Sequence, residues 1–207
     1  MAAGPSRPWP VILLVGPTGS GKTPLGAEIE KRGLHGRRCV HFDFGAELRA
    51  AAAAPEGASG LAAGDLAAIR ASLATGALFE DRDMPLIVRL LDRFMAARAM
   101  PPGSLLVLNG LPRHRRQAEG LEGIVTVERI VSLEAGAAVI AERLRLDPAG
   151  DRAGRADDGP TAVAGRLADF RERTLPLIGH YRERGVPVTV IEVTASMSAA
   201  EMAEKFG

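Results

Sequence analysis

Gly16-Pro-Thr-Gly-Ser-Gly-Lys22-Thr23 fits the spacing G-x-x-x-x-G-K-[ST] residue for residue. Each residue type has a task in that spacing. Gly16, Gly19 and Gly21 let the backbone curl so that its N–H groups converge on an anion, and Pro17, Thr18 and Ser20 complete the loop. Lys22 brings a point charge to the β- and γ-phosphates, and the Thr23 hydroxyl is a ligand for Mg²⁺. A helix starting here aims its positive end at the same place. Pro24 falls in the first turn of that helix, where a missing N–H costs little. The dinucleotide fingerprint is excluded, because Pro24 stands where its third glycine would be. The loop points to a bound nucleoside triphosphate.

Such a loop needs a buried strand before it, and residues 11–15 are apolar throughout, as in a parallel strand covered on both faces. The helix over 22–32 carries Leu25 and Ile29 at i,i+4 and stops at Gly33. Further strands are predicted at 38–44, 105–108, 129–133 and 188–193. Helices are predicted at 46–54, 61–73, 83–100, 115–121, 135–146, 162–184 and 199–206, the 162–184 helix bent at Pro176. Residues 56–60 read as a turn, and the polar, Gly- and Pro-containing segment 147–160 as a mobile loop. This alternation predicts a doubly wound, five-stranded parallel sheet with helices on both faces. Ligands of such sheets sit at the C-terminal strand ends. The three polar strand ends, 16–23, 43–45 and 109–113, should therefore meet.

A chain of 207 residues with 46% hydrophobic and 25% charged residues is expected to form one globular domain, with small inserted lids. A formal net charge of +1 gives no global field for nucleic acid or a membrane surface. The Arg113-His-Arg-Arg116 cluster has no interleaved aromatic residues, so it does not read as a nucleic-acid patch. The single cysteine, Cys39, excludes an intramolecular disulfide and reads as a small core residue. His35, His41 and His180 have no metal-ligand spacing and read as structural. No apolar run approaches the ~20 residues of a membrane span, and the first ten residues lack a secretion signal's pattern. The expectation is a cytoplasmic monomer whose partners are nucleotides, with Trp9 covering the sheet.

Four further stretches resemble those of the nucleoside monophosphate kinases, above all the short-lid adenylate kinases, a likeness that covers nearly the whole chain. His41-Phe-Asp-Phe-Gly45-Ala-Glu-Leu48-Arg49-Ala50 is similar to the family's His-x-Ser-Thr-Gly-Asp-Leu-Leu-Arg-Ala, and Gly76-Ala-Leu-Phe-Glu-Asp81 to its Gly-x-Leu-Val-Pro-Asp. Asn109-Gly110-Leu111-Pro112-Arg113 with Gln117 resembles Asp-Gly-Phe-Pro-Arg-x-x-x-Gln, and Gly154-Arg155-Ala156-Asp157-Asp158 with Arg166 resembles Gly-Arg-x-Asp-Asp and the arginine after it. The resemblance implies a P-loop NTPase-type sheet with a helical acceptor-binding insert over about 45–84 and a short lid over about 146–160. It implies that Arg49 and Arg113 clamp the acceptor's phosphate, that Phe44, Gly45 and Gly110 line the acceptor site, and that Gln117 reads adenine. Arg155 and Arg166, about three helical turns apart, would close over the donor, with Asp157 and Asp158 orienting the lid arginines. Arg143 and Arg152 are further candidates for ATP. Arginine suits these roles because its planar fork pairs with phosphate oxygens at two points.

Two positions depart from the family's pattern. Asn109 stands where the family has an acid that supports the Mg²⁺ shell, and Asp43-Phe44 replaces Ser-Thr. Either Asp43 supplies the missing carboxylate through metal-bound water, with Asn109 beside it, or it caps the next helix. The resulting expectation is Mg²⁺-dependent phosphoryl transfer from ATP to a nucleoside monophosphate, with AMP preferred. The alternatives are a catalytically weak nucleotide-binding regulator of the same fold, and another phosphate-loop transferase acting on a small metabolite or tRNA.

Overall fold

Five apolar runs build one parallel sheet, and the alternation of side chains along them divides the core in two. The computed structural model describes residues 7–55, 60–98, 100–150 and 160–206. The strands are β1 (Trp9–Val15), β2 (Cys39–Asp43), β3 (Leu105–Asn109), β4 (Val125–Glu134) and β5 (Val188–Glu192), in the spatial order β2-β3-β1-β4-β5. The helices are α1 (Lys22–Arg32), α2 (Phe44–Ala53), α3 (Ala63–Thr75), α4 (Met84–Arg98), α5 (Arg115–Gly120), α6 (Ala137–Leu146), α7 (Pro160–Asp169), α8 (Pro176–Arg182) and α9 (Ala199–Glu204). All strand pairs are parallel. Consecutive strands of such a sheet cannot be joined by tight turns, so helices cross over and cover it.

On β1, Val11, Leu13 and Val15 join the larger core with Phe42, Leu106 and Leu108, under α4, α5 and α8. Ile12 and Leu14 face the other side, with Leu25 and Ile29 of α1 and Met202 of α9. The two-residue period thus buries both faces, as the uncharged run predicts. The chain leaves β1 for one side of the sheet, returns, and crosses to β4 on the other, so the strand order changes direction around β1. The loop after β1 emerges at this crevice. Cys39 is buried in the smaller core, where burial pushes its thiol up to about 11, in keeping with a packing role.

Many element ends shift by a residue or two, and three departures from the sequence expectation have a clear physical cause. The helix predicted over 162–184 is interrupted before Pro176 by a π-helical turn, Phe170–Thr174, in which Leu175 N–H bonds to Phe170 O. Proline cannot donate to the preceding turn, and the wider turn accommodates that loss. Strand β4 begins at Val125, four residues earlier than expected, because exposed Thr126 and Glu128 interrupt its apolar pattern. A register shift between Val11 and Ile12 lets it pair with β1 across that stretch. Helix α2 starts at Phe44 rather than 46, since Asp43 caps it directly. The expected turn at 56–60 lies mostly outside the described residues, as does the greater part of the loop at 147–160. Among the described residues no helix is long and apolar enough to cross a membrane.

Gly26 of α1 is a close-approach position. A Cβ there would lie 2.2 Å from His41 Nε2, so the imidazole of β2 rests against bare helix backbone. That nitrogen is buried without a hydrogen-bond partner among the described residues, and burial lowers the His41 pKa from its usual 6.5, with Asp43 and Glu30 opposing. Gly26→Ala should lower the unfolding free energy by about 1–3 kcal/mol through overpacking, although alanine is the better helix former by about 1 kcal/mol. In a His41→Ser background the same change should be neutral or stabilising. Urea unfolding of the four chains checks this, and equal losses in both backgrounds would refute the contact.

The depressed folded-state pKa also sets a pH dependence. Its stabilisation is fully present above the unfolded value near 6.5 and is lost as pH falls, because only the unfolded chain then takes the proton. His180, likewise lowered by burial and by Arg184, acts in the same direction. Stability should therefore fall from about pH 7.5 to about pH 5.5, and His41→Ser should make that fall shallower. Urea titrations at the two pH values decide it.

Candidate active site

The phosphate loop runs from Gly16 to Gly21 between β1 and α1. Gly21 caps α1 in the left-handed region, at φ 98°, and a Cβ there would meet Met202 Cε at 2.9 Å. A side chain would thus be strained and also collide with α9. Lys22 Nζ donates to the carbonyls of Gly16 and Pro17 at 2.7 Å each. Arg143 of α6, only 3% exposed, donates from Nε to Gly19 O at 3.1 Å. Its Nη1 reaches Thr194 O at 2.8 Å and Met197 O at 2.9 Å, in the segment between β5 and α9. This arginine therefore fastens the loop as well as facing the cleft.

Thr23, Asp43 and Asn109 meet beside Lys22. The Thr23 hydroxyl donates to Asp43 Oδ2 at 2.5 Å, and Asn109 Nδ2 lies 2.8 Å from Asp43 Oδ2 and 3.0 Å from Thr23 Oγ1. Sheet register causes the meeting, since Asp43 and Asn109 are partners at the ends of β2 and β3. Asp43 Oδ1 meanwhile accepts Ala46 N–H at 2.9 Å. The carboxylate thus caps α2, one of the two roles that sequence reading set against each other, and at the same time accepts the Thr23 hydroxyl.

A cleft of about 210 Å³ joins this cluster to a second group of residues. Arg49, Arg113 and Arg166 line it, as do Gly45 and Gly110. Burial pulls the Arg113 guanidinium below the usual arginine value; Asp169 opposes the shift, and Arg166 and Arg173 add to it. Arg49, Arg113 and Arg166 gather positive charge on this wall, which suits an anionic ligand. Arg113 is held by Thr174 of the π turn, whose hydroxyl donates to Arg113 O at 2.8 Å.

Past Arg113 the cleft becomes apolar, between Phe44, Leu48, Leu73 and Phe79. The Phe44 and Phe79 rings lie 5.7 Å apart at 66°. Gln117, 1% exposed, accepts Arg113 N–H at 2.7 Å and donates to Phe79 O at 2.8 Å. His114 Nε2 sits 3.0 Å from the same carbonyl.

The structure therefore gathers Gly16, Thr18, Gly19, Gly21, Lys22 and Thr23 with Asp43, Phe44, Arg49, Asn109, Arg113, Gln117, Arg143 and Arg166 around one cleft. Pro17 and Ser20 lie behind its wall. Arg152, Arg155, Asp157 and Asp158 fall outside the described residues. Arg115 and Arg116 are exposed and pair with Glu119 and Asp81. Sequence reading missed Phe79, His114 and Thr174 as parts of the site. Only the resembling stretch 76–81 hinted at Phe79, and no local pattern marks the other two. Glu80, Asp81 and His114 form the sole cluster of potential metal ligands among the described residues. Their atoms are engaged by Arg173, Arg116 and the Phe79 carbonyl.

No family model matches the chain. Curated relatives do. It is 33% identical over 184 residues to an adenylate kinase of Synechococcus sp. (strain WH7803), covering 86% of this chain and 88% of that one. It is 31% identical over 200 residues to an adenylate kinase of Synechococcus sp. (strain CC9902), covering 94% of each. An adenylate kinase of Xylella fastidiosa (strain M12) is 28% identical over 186 residues, covering 86% of this chain and 89% of that one. With the five-stranded parallel sheet and the phosphate-loop cleft, these likenesses place the chain in the adenylate kinase family of nucleoside monophosphate kinases, enzymes of nucleotide phosphoryl transfer.

Proposed function

We propose that this chain transfers the γ-phosphoryl group of ATP to AMP in a Mg²⁺-dependent reaction. One observation carries the reading: a single cleft is lined by the phosphate loop, by Arg49, Arg113 and Arg166, and by the aromatic Phe44 and Phe79. Donor phosphates, transferring group and acceptor base each find a matching stretch of wall. Positioning and charge neutralisation do most of the work in phosphoryl transfer. Lys22, Arg113 and Arg166 neutralise the oxygens around the moving group, joined in this reading by Arg155. Arg143 and Arg152 complete the ATP side. Arg49 and Arg113 hold the acceptor's phosphate. Residues 45–84 form the acceptor-binding insert and 146–160 the lid, on the sequence resemblance, and the enzyme works as a monomer.

The residues beside Lys22 fit a hard divalent ion, since Thr23 Oγ1 and Asp43 Oδ2 are oxygen donors 2.5 Å apart. Mg²⁺ held there would neutralise charge between the β- and γ-phosphates. Thr23 would ligate it directly, with Asp43 and Asn109 meeting its water shell. Asn109 brings no charge and turns its N–H group to Asp43, so the carboxylate of this cluster comes from β2. For the base, Phe44 and Phe79 offer apolar faces. Gln117 keeps a second amide hydrogen and a second carbonyl lone pair beyond its bonds to Phe79 and Arg113, enough for one adenine edge.

The test is ADP formation from Mg-ATP with AMP, GMP, CMP, UMP and dTMP offered separately, beside a blank without acceptor. Turnover fastest with AMP is expected. Arg113→Ala should reduce kcat by about 10²- to 10³-fold while leaving ATP binding intact, and Arg113→Lys should restore little of it, having no planar fork. ATP binding without turnover on any monophosphate would favour the regulator of the same fold. Turnover fastest with another monophosphate would overturn the AMP assignment alone.

A further inference from the structure

Asp43 places its two carboxylate oxygens in different halves of the cleft. Oδ2 accepts the Thr23 hydroxyl at 2.5 Å, in the first turn of α1 behind the phosphate loop. Oδ1 accepts the Ala46 N–H at 2.9 Å, in the first turn of α2. Helix α2 carries Leu48 and Arg49, which line the cleft beyond the phosphate loop. The Arg49 guanidinium folds back over the same turn, where a Cβ on Gly45 would lie 3.2 Å from its Nη1 and 3.4 Å from Asp43 Oδ1. A carboxylate is one rigid plane. Whatever shifts one oxygen turns the other, and hydrogen bonds to an ionised acceptor are the strong kind.

We propose that Asp43 is a positioning residue that couples occupancy of the triphosphate site to the placement of α2 and its Arg49. A ligand that fixes the Thr23 hydroxyl fixes Oδ2 upon it, and because the carboxylate is one rigid plane, Oδ1 is then held in place on the Ala46 N–H. By linkage the coupling is reciprocal, so a filled acceptor site also tightens the donor site. The naming of the two sites rests on the kinase reading above. The hydrogen-bonded path from Thr23 to Ala46 does not.

The register of the sheet supplies the test. Asn109 faces Asp43 across the β2–β3 pair, with Nδ2 3.0 Å from Thr23 Oγ1. Asn109→Asp would therefore set a carboxylate beside Thr23 from the neighbouring strand. Asp43→Ser would keep a cap on α2 of the kind Ser198 gives α9, where its Oγ accepts Glu201 N–H at 3.2 Å. The double variant D43S/N109D retains a charge beside Thr23 and a cap on α2, on separate side chains. Only the connection is cut.

AMP binding is measured by calorimetry on the full chain, without and with saturating Mg²⁺ and a non-hydrolysable ATP analogue. In the parent chain the analogue should tighten AMP by about fivefold or more. In D43S/N109D, at an analogue concentration shown by direct titration to saturate that variant, the effect on AMP should fall to about one. Asp43→Asn, which keeps an acceptor for Ala46 but turns an N–H toward Thr23, should lose the coupling as well. Amide exchange at residues 46–48 gives a readout that needs no acceptor: the analogue alone should slow it in the parent chain and not in either variant. Coupling or slowed exchange that persists in both variants overturns the proposal. Should AMP bind to no chain, the kinase reading fails, while the exchange measurement still decides the role of Asp43.

Discussion

A loop that offers its amide groups to phosphate must dispose of its carbonyl groups elsewhere. Everything around the cleft follows from that constraint. Backbone N–H and C=O are obligatory hydrogen-bonding groups, and a tight turn with orphaned carbonyls relaxes toward whatever donor it can find. Here Lys22 takes the carbonyls of Gly16 and Pro17, and Arg143 takes that of Gly19. The same arginine binds Thr194 O and Met197 O, so segments following β1 and β5 are pinned by a single guanidinium. Its planar, multi-donor fork is suited to gathering several carbonyls, and a lysine would not reach them all. Helix α9 closes the arrangement from behind through Met202 against Gly21.

What sequence made legible was local. The apolar run, the glycine spacing and the helix after it all lie within residues 11–32, and α1 occupies the predicted 22–32. The convergence of three strand ends was also foreseeable, because parallel sheets expose the same end of every strand. What escaped depended on choices made in three dimensions. The start of α2 at Phe44 follows from Asp43 committing one oxygen to Ala46, while its other oxygen accepts both Thr23 and Asn109, the latter brought alongside by the register of β2 and β3. Thr174 enters the site because a π turn before Pro176 brings it to Arg113. No period or motif in the sequence announces either event.

The positive charge in the cleft is costly to the fold. Arg113 is held low in the cleft near Arg166 and Arg173, and Asp169 compensates only in part, since burial still lowers its pKa. Like charges gathered in one cleft favour unfolding and favour an anion, which is the usual opposition between stability and function at a binding site. The surrounding ion pairs do little to offset that cost. Arg173 grips Glu80 with two bonds, of 2.8 and 2.9 Å, but Glu80 is about half exposed, where such a pair contributes roughly 0–1 kcal/mol. Its effect is positional. It fastens the segment after Phe79 to the π turn that carries Thr174, so the aromatic pocket and Arg113 share one support.

Under the proposed acceptor assignment, the apolar end of the site divides recognition between faces and edges. Aromatic walls such as Phe44 and Phe79 attract the flat face of any base, because stacking depends on area and polarisability rather than on ring substituents. Discrimination must come from polar groups at the edge. The Phe79 carbonyl has two lone pairs, and Gln117 and His114 occupy both. An incoming base therefore finds that carbonyl satisfied, and the Gln117 amide is the polar edge group left with capacity on this wall. On the same assignment, base selectivity would rest on one side chain held in place by Arg113 N–H and Phe79 O, and choice of base and placement of phosphate would be carried by the same few hydrogen bonds.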